Sequence, residues 1–315
     1  MAGNPGRAGL VVLLASVWLA GCGGDGGVNS TPAATAPFPV KSGVSYAGAT
    51  ATMGYNGTLA SGVSGSSATV TPAVSAQASA TTLAYNATSD TYTVQAGGAS
   101  ASFAPASKTA ASGYAANYVS GGDSLSLYGN AVAGTTGTAP VTLTYASFAL
   151  WTHTDAATNQ TTLTYYAYGQ PTATNSMPVS GSASYDTTVS AYMLQSNYVP
   201  TSGTALTGTA SFTANFANGT IATSLSLQPQ GGAIAGSAGV YGGTGTISGS
   251  TFAGTFTTGT NAFVSGTFNG GFFGPSAAEM AYAFAIRGHN ADPYAGATVA
   301  PGDISIAGVV LGARH

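Results

Sequence analysis

A few side chains in this sequence are of a type and spacing that could do chemistry. Cys22 is the only cysteine. It follows Leu19, Ala20 and Gly21, at the end of the apolar run LVVLLASVWL over residues 10–19. Ten apolar residues are too few to remain as a membrane-spanning helix, and with Arg7 ahead of them they fit a cleaved secretion signal. An apolar residue, two small ones and a cysteine form a lipobox. Cleavage is expected between Gly21 and Cys22, after the Cys22 sulfur has taken up a diacylglyceryl group. The acyl chains would then hold the mature chain at a membrane, each buried methylene contributing about 0.8 kcal/mol.

Glu279 is the only glutamate of the chain and lies just beyond Phe272-Phe273-Gly274-Pro275. A carboxylate buried there needs hydrogen-bond donors. The backbone N–H groups of the turn after Pro275, or Arg287 across a hairpin, could supply them, and the expected role is structural. His153, His289 and His315 are too far apart for a short-spaced metal motif, and no cysteine joins them. His153 beside Asp155 reads as part of a solvated turn. Tyr145, Tyr165, Tyr166 and Tyr168 could line a surface for a protein or a planar ligand such as haem, but cross-strand pairing within a sheet accounts for them more simply. The chain has no Gly-x-Ser-x-Gly elbow. Gly242-Gly243-Thr244-Gly245 is not followed by Lys and Ser or Thr as a phosphate loop would be, and no Asp spacing is of the calcium type. The expectation is a protein without catalytic residues, metal or cofactor.

Composition limits what can position these residues. Only 4% of the 315 residues are charged, against about 25% in an ordinary soluble domain. Five Lys and Arg cannot build the basic face that nucleic acid requires. With one Glu and two Lys (Lys41 and Lys108), surface helices lack their usual solubilising residues. The hydrophobic fraction is an ordinary 44%, so a core is available. An all-β protein coated with hydroxyls is expected.

The periodicity agrees. Leu206, Gly208, Ala210, Phe212, Ala214 and Phe216 alternate with Thr207, Thr209, Ser211, Thr213 and Asn215, as in a half-buried strand. Asn218-Gly219 then signals a hairpin, followed by Ile221, Thr223, Leu225 and Leu227 on one face. Leu83–Val94 reads as a hairpin with its turn near residues 86–90, residues 141–145 and 162–166 as strands, and Ile304–Leu311 as a closing strand. Glycine weakens a strand, yet Gly266 and Gly270 share a face with Phe268 and Phe272. Small residues beside large rings let a sheet curve tightly and close. The expected fold is a small antiparallel β-barrel of about eight strands with a filled interior, preceded by a smaller β-rich, handle-like domain. Expected boundaries are 1–21 for the signal peptide, 22–43 for a Gly- and Pro-containing tether, 44–134 for the handle and 135–315 for the barrel.

The segment GTFNGGFFGPSAAE over residues 266–279 resembles the barrel motif of transferrin-binding protein B and related surface lipoproteins. The matching positions are Gly266, Phe268, Gly270, Phe272, Phe273, Gly274, Pro275, Ala277, Ala278 and Glu279. The family usually continues with paired glycines, where this chain has Met280-Ala281-Tyr282, so local packing must differ. The resemblance implies a lipid-anchored protein of the bacterial outer membrane or cell surface. Its partner would be a host iron- or haem-carrying protein or a small solute, passed to an outer-membrane receptor. A structural or adhesive envelope lipoprotein is the alternative.

Overall fold

A computed structural model describes residues 45–56, 73–75, 82–109, 115–128, 131–132, 141–195, 202–230, 238–259, 263–290 and 302–315. The described residues form strands joined by turns, with three short 3₁₀ segments. The first strands are β1 (Ser45–Ala47), β2 (Ala49–Asn56), β3 (Ala73–Ser75), β4 (Thr82–Asn86), β5 (Thr91–Ala96), β6 (Ala99–Phe103) and β7 (Lys108–Thr109). Next come β8 (Ala115–Ser120), β9 (Asp123–Tyr128), β10 (Ala131–Val132), β11 (Val141–Thr142), β12 (Ala146–Asp155) and β13 (Gln160–Gly169). The remaining strands are β14 (Ser182–Gln195), β15 (Ser202–Asn215), β16 (Thr220–Pro229) and β17 (Gly239–Ser248). They continue with β18 (Thr251–Gly259), β19 (Phe263–Phe273), β20 (Glu279–Asn290) and β21 (Gly302–Arg314).

Strands β14 to β21 close into an eight-stranded antiparallel barrel, each pairing with the next and β21 returning to β14. The alternation is realised as expected: Leu206, Ala210, Phe212, Ala214, Ile221, Leu225 and Leu227 are all buried in the barrel core. The interior is filled by rings. Phe212, Phe252, Phe256, Phe268, Phe272 and Tyr282 stack around one another, with centroids 5.0 Å apart for Phe252–Phe272, 5.2 Å for Phe256–Phe268 and 5.4 Å for Phe268–Tyr282. Such pairs add about 0.5–1.5 kcal/mol each beyond burial. The one hydroxyl at the centre of this cluster is satisfied, since Tyr282 Oη lies 2.9 Å from Thr223 Oγ1.

The glycines make room for the rings. Gly254 pairs directly with Phe268, and a Cβ on Gly254 would overlap the Phe268 ring. Gly270 pairs with Tyr282, whose Cβ occupies the place a Gly270 side chain would need. A ring from one strand thus lies over bare backbone of the next, and the sheet can curve until its edges meet.

The handle is a two-sheet sandwich. One sheet has the order β1-β4-β5-β6, and the other β3-β2-β13-β12-β9-β8-β7. Between them lie Leu83, Tyr92, Val94 and Phe103 from the small sheet and Tyr118, Leu125, Trp151, Tyr166 and Tyr168 from the large one. The opposite face of the large sheet packs on the outside of the barrel. There Met53, Phe148, Tyr165 and Ala167 meet Ala281, Ala283, Ala307, Val309 and Leu311. Small residues on the outer face of β20 and β21 allow this close layering, and β13 is buried on both of its faces.

One expectation changes. The barrel begins at Ser182, not near residue 135, because β12 and β13 complete the handle sheet by pairing with β9 and β2. A period of two is the same in a barrel strand and in an open sheet, so alternation does not say which sheet receives a strand. The tyrosines are packed within the layers of the handle and do not line one binding surface. Tyr165 faces the barrel, while Tyr166 and Tyr168 face the small sheet.

Phe268→Ala should cost about 3–5 kcal/mol through the cavity it leaves, measured as a lower urea midpoint. Gly254→Val should destabilise in the same assay, because its branched side chain would collide with the Phe268 ring.

Candidate functional site

The motif residues form the joint between barrel and handle. Glu279 opens β20 and is 4% exposed. Its carboxylate accepts three backbone hydrogen bonds from the strand entering the handle. The Thr144 N–H donates to Oε1 at 2.6 Å, and the N–H groups of Tyr145 and Ala146 donate to Oε2 at 2.8 and 2.7 Å. These donors are not the ones the sequence suggested. Arg287 is exposed on the outside of β20, and the turn after Pro275 bonds within itself, Ala278 N–H to Pro275 O at 3.0 Å. Burial pushes the Glu279 carboxyl above its ordinary value, partly offset by the three N–H donors.

The preceding turn presents Glu279 at the right height. Gly274 has φ 72° and ψ −177°, a region open essentially to glycine alone. A side chain there would also run into the Tyr145 ring, which lies on the bare Gly274 backbone. Ser276 and Ala277 are left-handed, with φ 54° and 57°. Two consecutive non-glycine residues in that region are costly, so the segment must be held from outside.

Every carbonyl from Gly274 to Ala278 has a donor. The Thr172 hydroxyl donates to Gly274 O at 2.6 Å, and Ala278 N–H closes on Pro275 O. Arg314 Nη1 donates to Ser276 O at 3.0 Å, and Tyr185 Oη to Ala277 O at 2.8 Å. Finally, Arg314 N–H reaches Ala278 O at 2.9 Å. On the handle side, Gly274 N–H donates to Gln170 O at 3.0 Å and Thr172 N–H to Phe272 O at 2.9 Å. Phe273 points out of the barrel into the layer shared with the handle, whereas Phe272 points in. The Phe-Phe-Gly-Pro run therefore fills both layers and turns between them.

Gly266, Phe268 and Gly270 lie in the barrel wall, away from this joint. Cys22 and its cleavage site lie outside the described residues. Among the described residues no group of three His, Cys, Asp or Glu gathers to hold a metal. His315 approaches Asp186 loosely, at 3.4 Å on an exposed surface. His153 bonds to Asp123 on the neighbouring strand rather than to Asp155. Asp155 instead ties its own turn, accepting from Ala157 N–H at 2.8 Å and Thr158 Oγ1 at 2.9 Å. That turn and the one at Gly121-Gly122 lie at the same end of the large sheet, since His153 and Asp123 are register partners. The turn at residues 87–90 reaches this end too, through the stack Tyr85–Tyr92–Tyr118, with centroids 4.7 and 5.5 Å apart. The handle thus has a distal end made of three hairpin turns.

Glu279→Gln should lower stability by about 1.5–3 kcal/mol, because the amide NH₂ confronts N–H donors that need an acceptor; thermal melting would measure it. The pH dependence has a definite sign. A carboxyl whose pKa is raised by folding stabilises most below its unfolded value, and that contribution is lost as pH rises through the folded value. The stability gap between wild type and Glu279→Gln should therefore widen as pH falls from 8 toward 4.5.

A search of curated proteins finds no match. Among solved structures, a transferrin binding protein B from Haemophilus parasuis aligns at TM-score 0.41 and 14% identity, covering 85% of this chain and 45% of that one. Intact Ap-TbpB, with its N and C lobes, aligns at TM-score 0.40 and 16% identity, covering 80% and 48%. HpuA from Kingella denitrificans, in complex with human haemoglobin, aligns at TM-score 0.38 and 14% identity, covering 86% and 87%. The chain spans under half the length of the transferrin-binding proteins it aligns with. Residues 177–314 match the family model for the C-lobe and N-lobe beta barrels of Tf-binding protein B. That span contains all eight barrel strands and the Glu279 joint, so the likeness to that family's barrels extends over the whole barrel of this chain.

Proposed function

We propose that this chain is a non-enzymatic binding protein, anchored to the bacterial outer membrane through lipid on Cys22 and displayed at the cell surface. It captures a host iron- or haem-carrying protein and hands its cargo to an outer-membrane receptor. The observation that carries this reading is the family barrel welded to a handle sandwich, with a lipobox and a Pro- and Gly-containing tether ahead of them. The barrel core is packed with rings, so capture belongs to the outside of the molecule rather than to a solute held within the barrel.

The distal end of the handle suits that task. Its three turns are exposed, and behind them the Tyr85–Tyr92–Tyr118 stack gives a rigid base. Tyr85 is tied to its own turn by a 2.9 Å hydrogen bond from its hydroxyl to Asp90. Residues 187–278 contain no charged side chain, so most of the barrel surface offers no electrostatic steering. The acidic groups Asp90, Asp123 and Asp155 sit instead at the distal end of the handle.

Cells displaying the full chain should retain haemoglobin or transferrin, read by flow cytometry with the labelled host protein. Tyr85→Ala combined with Asp90→Ala should weaken retention, and Cys22→Ala should abolish both surface display and incorporation of a palmitate analogue. Retention of neither protein by well-displayed chain would refute capture. Unchanged lipid labelling of Cys22→Ala would refute the anchor.

A further inference from the structure

The interior accounts for Trp151 and Asp123, but not for the residue that completes their cluster. Trp151 is buried between the handle sheets, and its Nε1–H donates to Asp123 Oδ1 at 2.8 Å. A buried indole N–H needs such an acceptor, and that pair would be complete by itself. The same Oδ1 nevertheless takes a second hydrogen bond, from His153 Nδ1 at 2.8 Å. A carboxylate only accepts, so Nδ1 is the donor, and in the neutral imidazole Nε2 then carries the lone pair. Among the described residues Nε2 has no hydrogen-bond partner. The His153 side chain is 31% exposed and Asp123 18%, so the imidazole meets solvent while its anchor is largely shielded.

We propose that His153 is a single-imidazole site for a divalent transition-metal cation of the Zn²⁺, Ni²⁺ or Cu²⁺ class. Metal-ligating histidines usually donate their second nitrogen to a carboxylate, which fixes the tautomer and raises the basicity of the ligating nitrogen. Imidazole is the preferred donor for these metals. Trp151 holds the carboxylate, and its ring, centred 5.6 Å from the imidazole, limits rotation of His153. The adjoining turn is Gly121-Gly122, which sets no side chain beside the ring. Asp155 lies two residues along β12, on the same face, and interacts electrostatically with His153. The local charge therefore favours a cation over an anion. One protein ligand leaves most of the coordination sphere to water or to a group on a docked partner. His315 is the natural contrast, since its carboxylate partner is 3.4 Å away and both side chains are more than half exposed.

Trp18 and Trp151 are the only tryptophans, which gives the test a local reporter. In the full chain carrying Trp18→Phe, Cu²⁺ or Ni²⁺ alone should quench Trp151 fluorescence saturably, and Zn²⁺ should compete. His153→Ala should abolish the quenching, whereas His315→Ala should leave it intact. Asp123→Asn, with folding checked by melting, should weaken binding by about tenfold as loss of an orienting carboxylate does. Absence of quenching in the parent, or quenching that survives His153→Ala, would overturn the site. An unchanged midpoint in Asp123→Asn would overturn the role given to Asp123.

Discussion

One buried carboxylate gathers three backbone N–H groups from a strand more than 130 residues earlier in the chain. An ionised group taken out of water is tolerated only when its lone pairs are satisfied, and here the donors belong to a different sheet from the acceptor. Glu279 and Thr144–Ala146 therefore fix where β12 starts relative to β20. Once β12 is fixed, β13 follows by hairpin pairing, β2 pairs with β13, and the large handle sheet is built against the barrel wall. The left-handed turn before Glu279 is stabilised by the same geometry, because Thr172, Tyr185 and Arg314 donate to its carbonyls from three directions.

Much of this is legible in the sequence. Alternation over residues 205–227 specified both the strands and the faces they bury, because a one-residue slip would expose Phe212 and Leu225 together. The glycine-and-phenylalanine habit of residues 266–273 specified a closed, filled barrel, since only a curved sheet needs rings over bare backbone. The partners of Glu279 were not legible. They are main-chain groups, which carry no residue identity, and their distance along the chain leaves no local signal. The allotment of β13 to the handle was hidden for a related reason, as its partner strand β2 lies about 110 residues upstream. The Asp123–His153 pair is also cross-strand, so the sequence pointed to the nearer Asp155.

The barrel and the handle differ in surface chemistry. The inside of the barrel is packed with rings, and its outside is almost all Thr, Ser, Gly and Ala across β15 to β19. The handle carries Asp90, Lys108, Asp123, His153 and Asp155, three of them acidic and close to the turns at its distal end, whereas the charged residues of the barrel lie on β14, β20 and β21. The joint matters because the large handle sheet meets the barrel wall in the layer beside Glu279.

The most direct measurement is amide hydrogen exchange at Thr144, Tyr145 and Ala146 in wild type and in Glu279→Gln. With Glu279 as the joint, these three amides are protected as strongly as the barrel strands in wild type. In the variant they exchange faster, while the β16 amides around Leu225 remain protected. Equal exchange at all three positions in the two proteins would contradict the account.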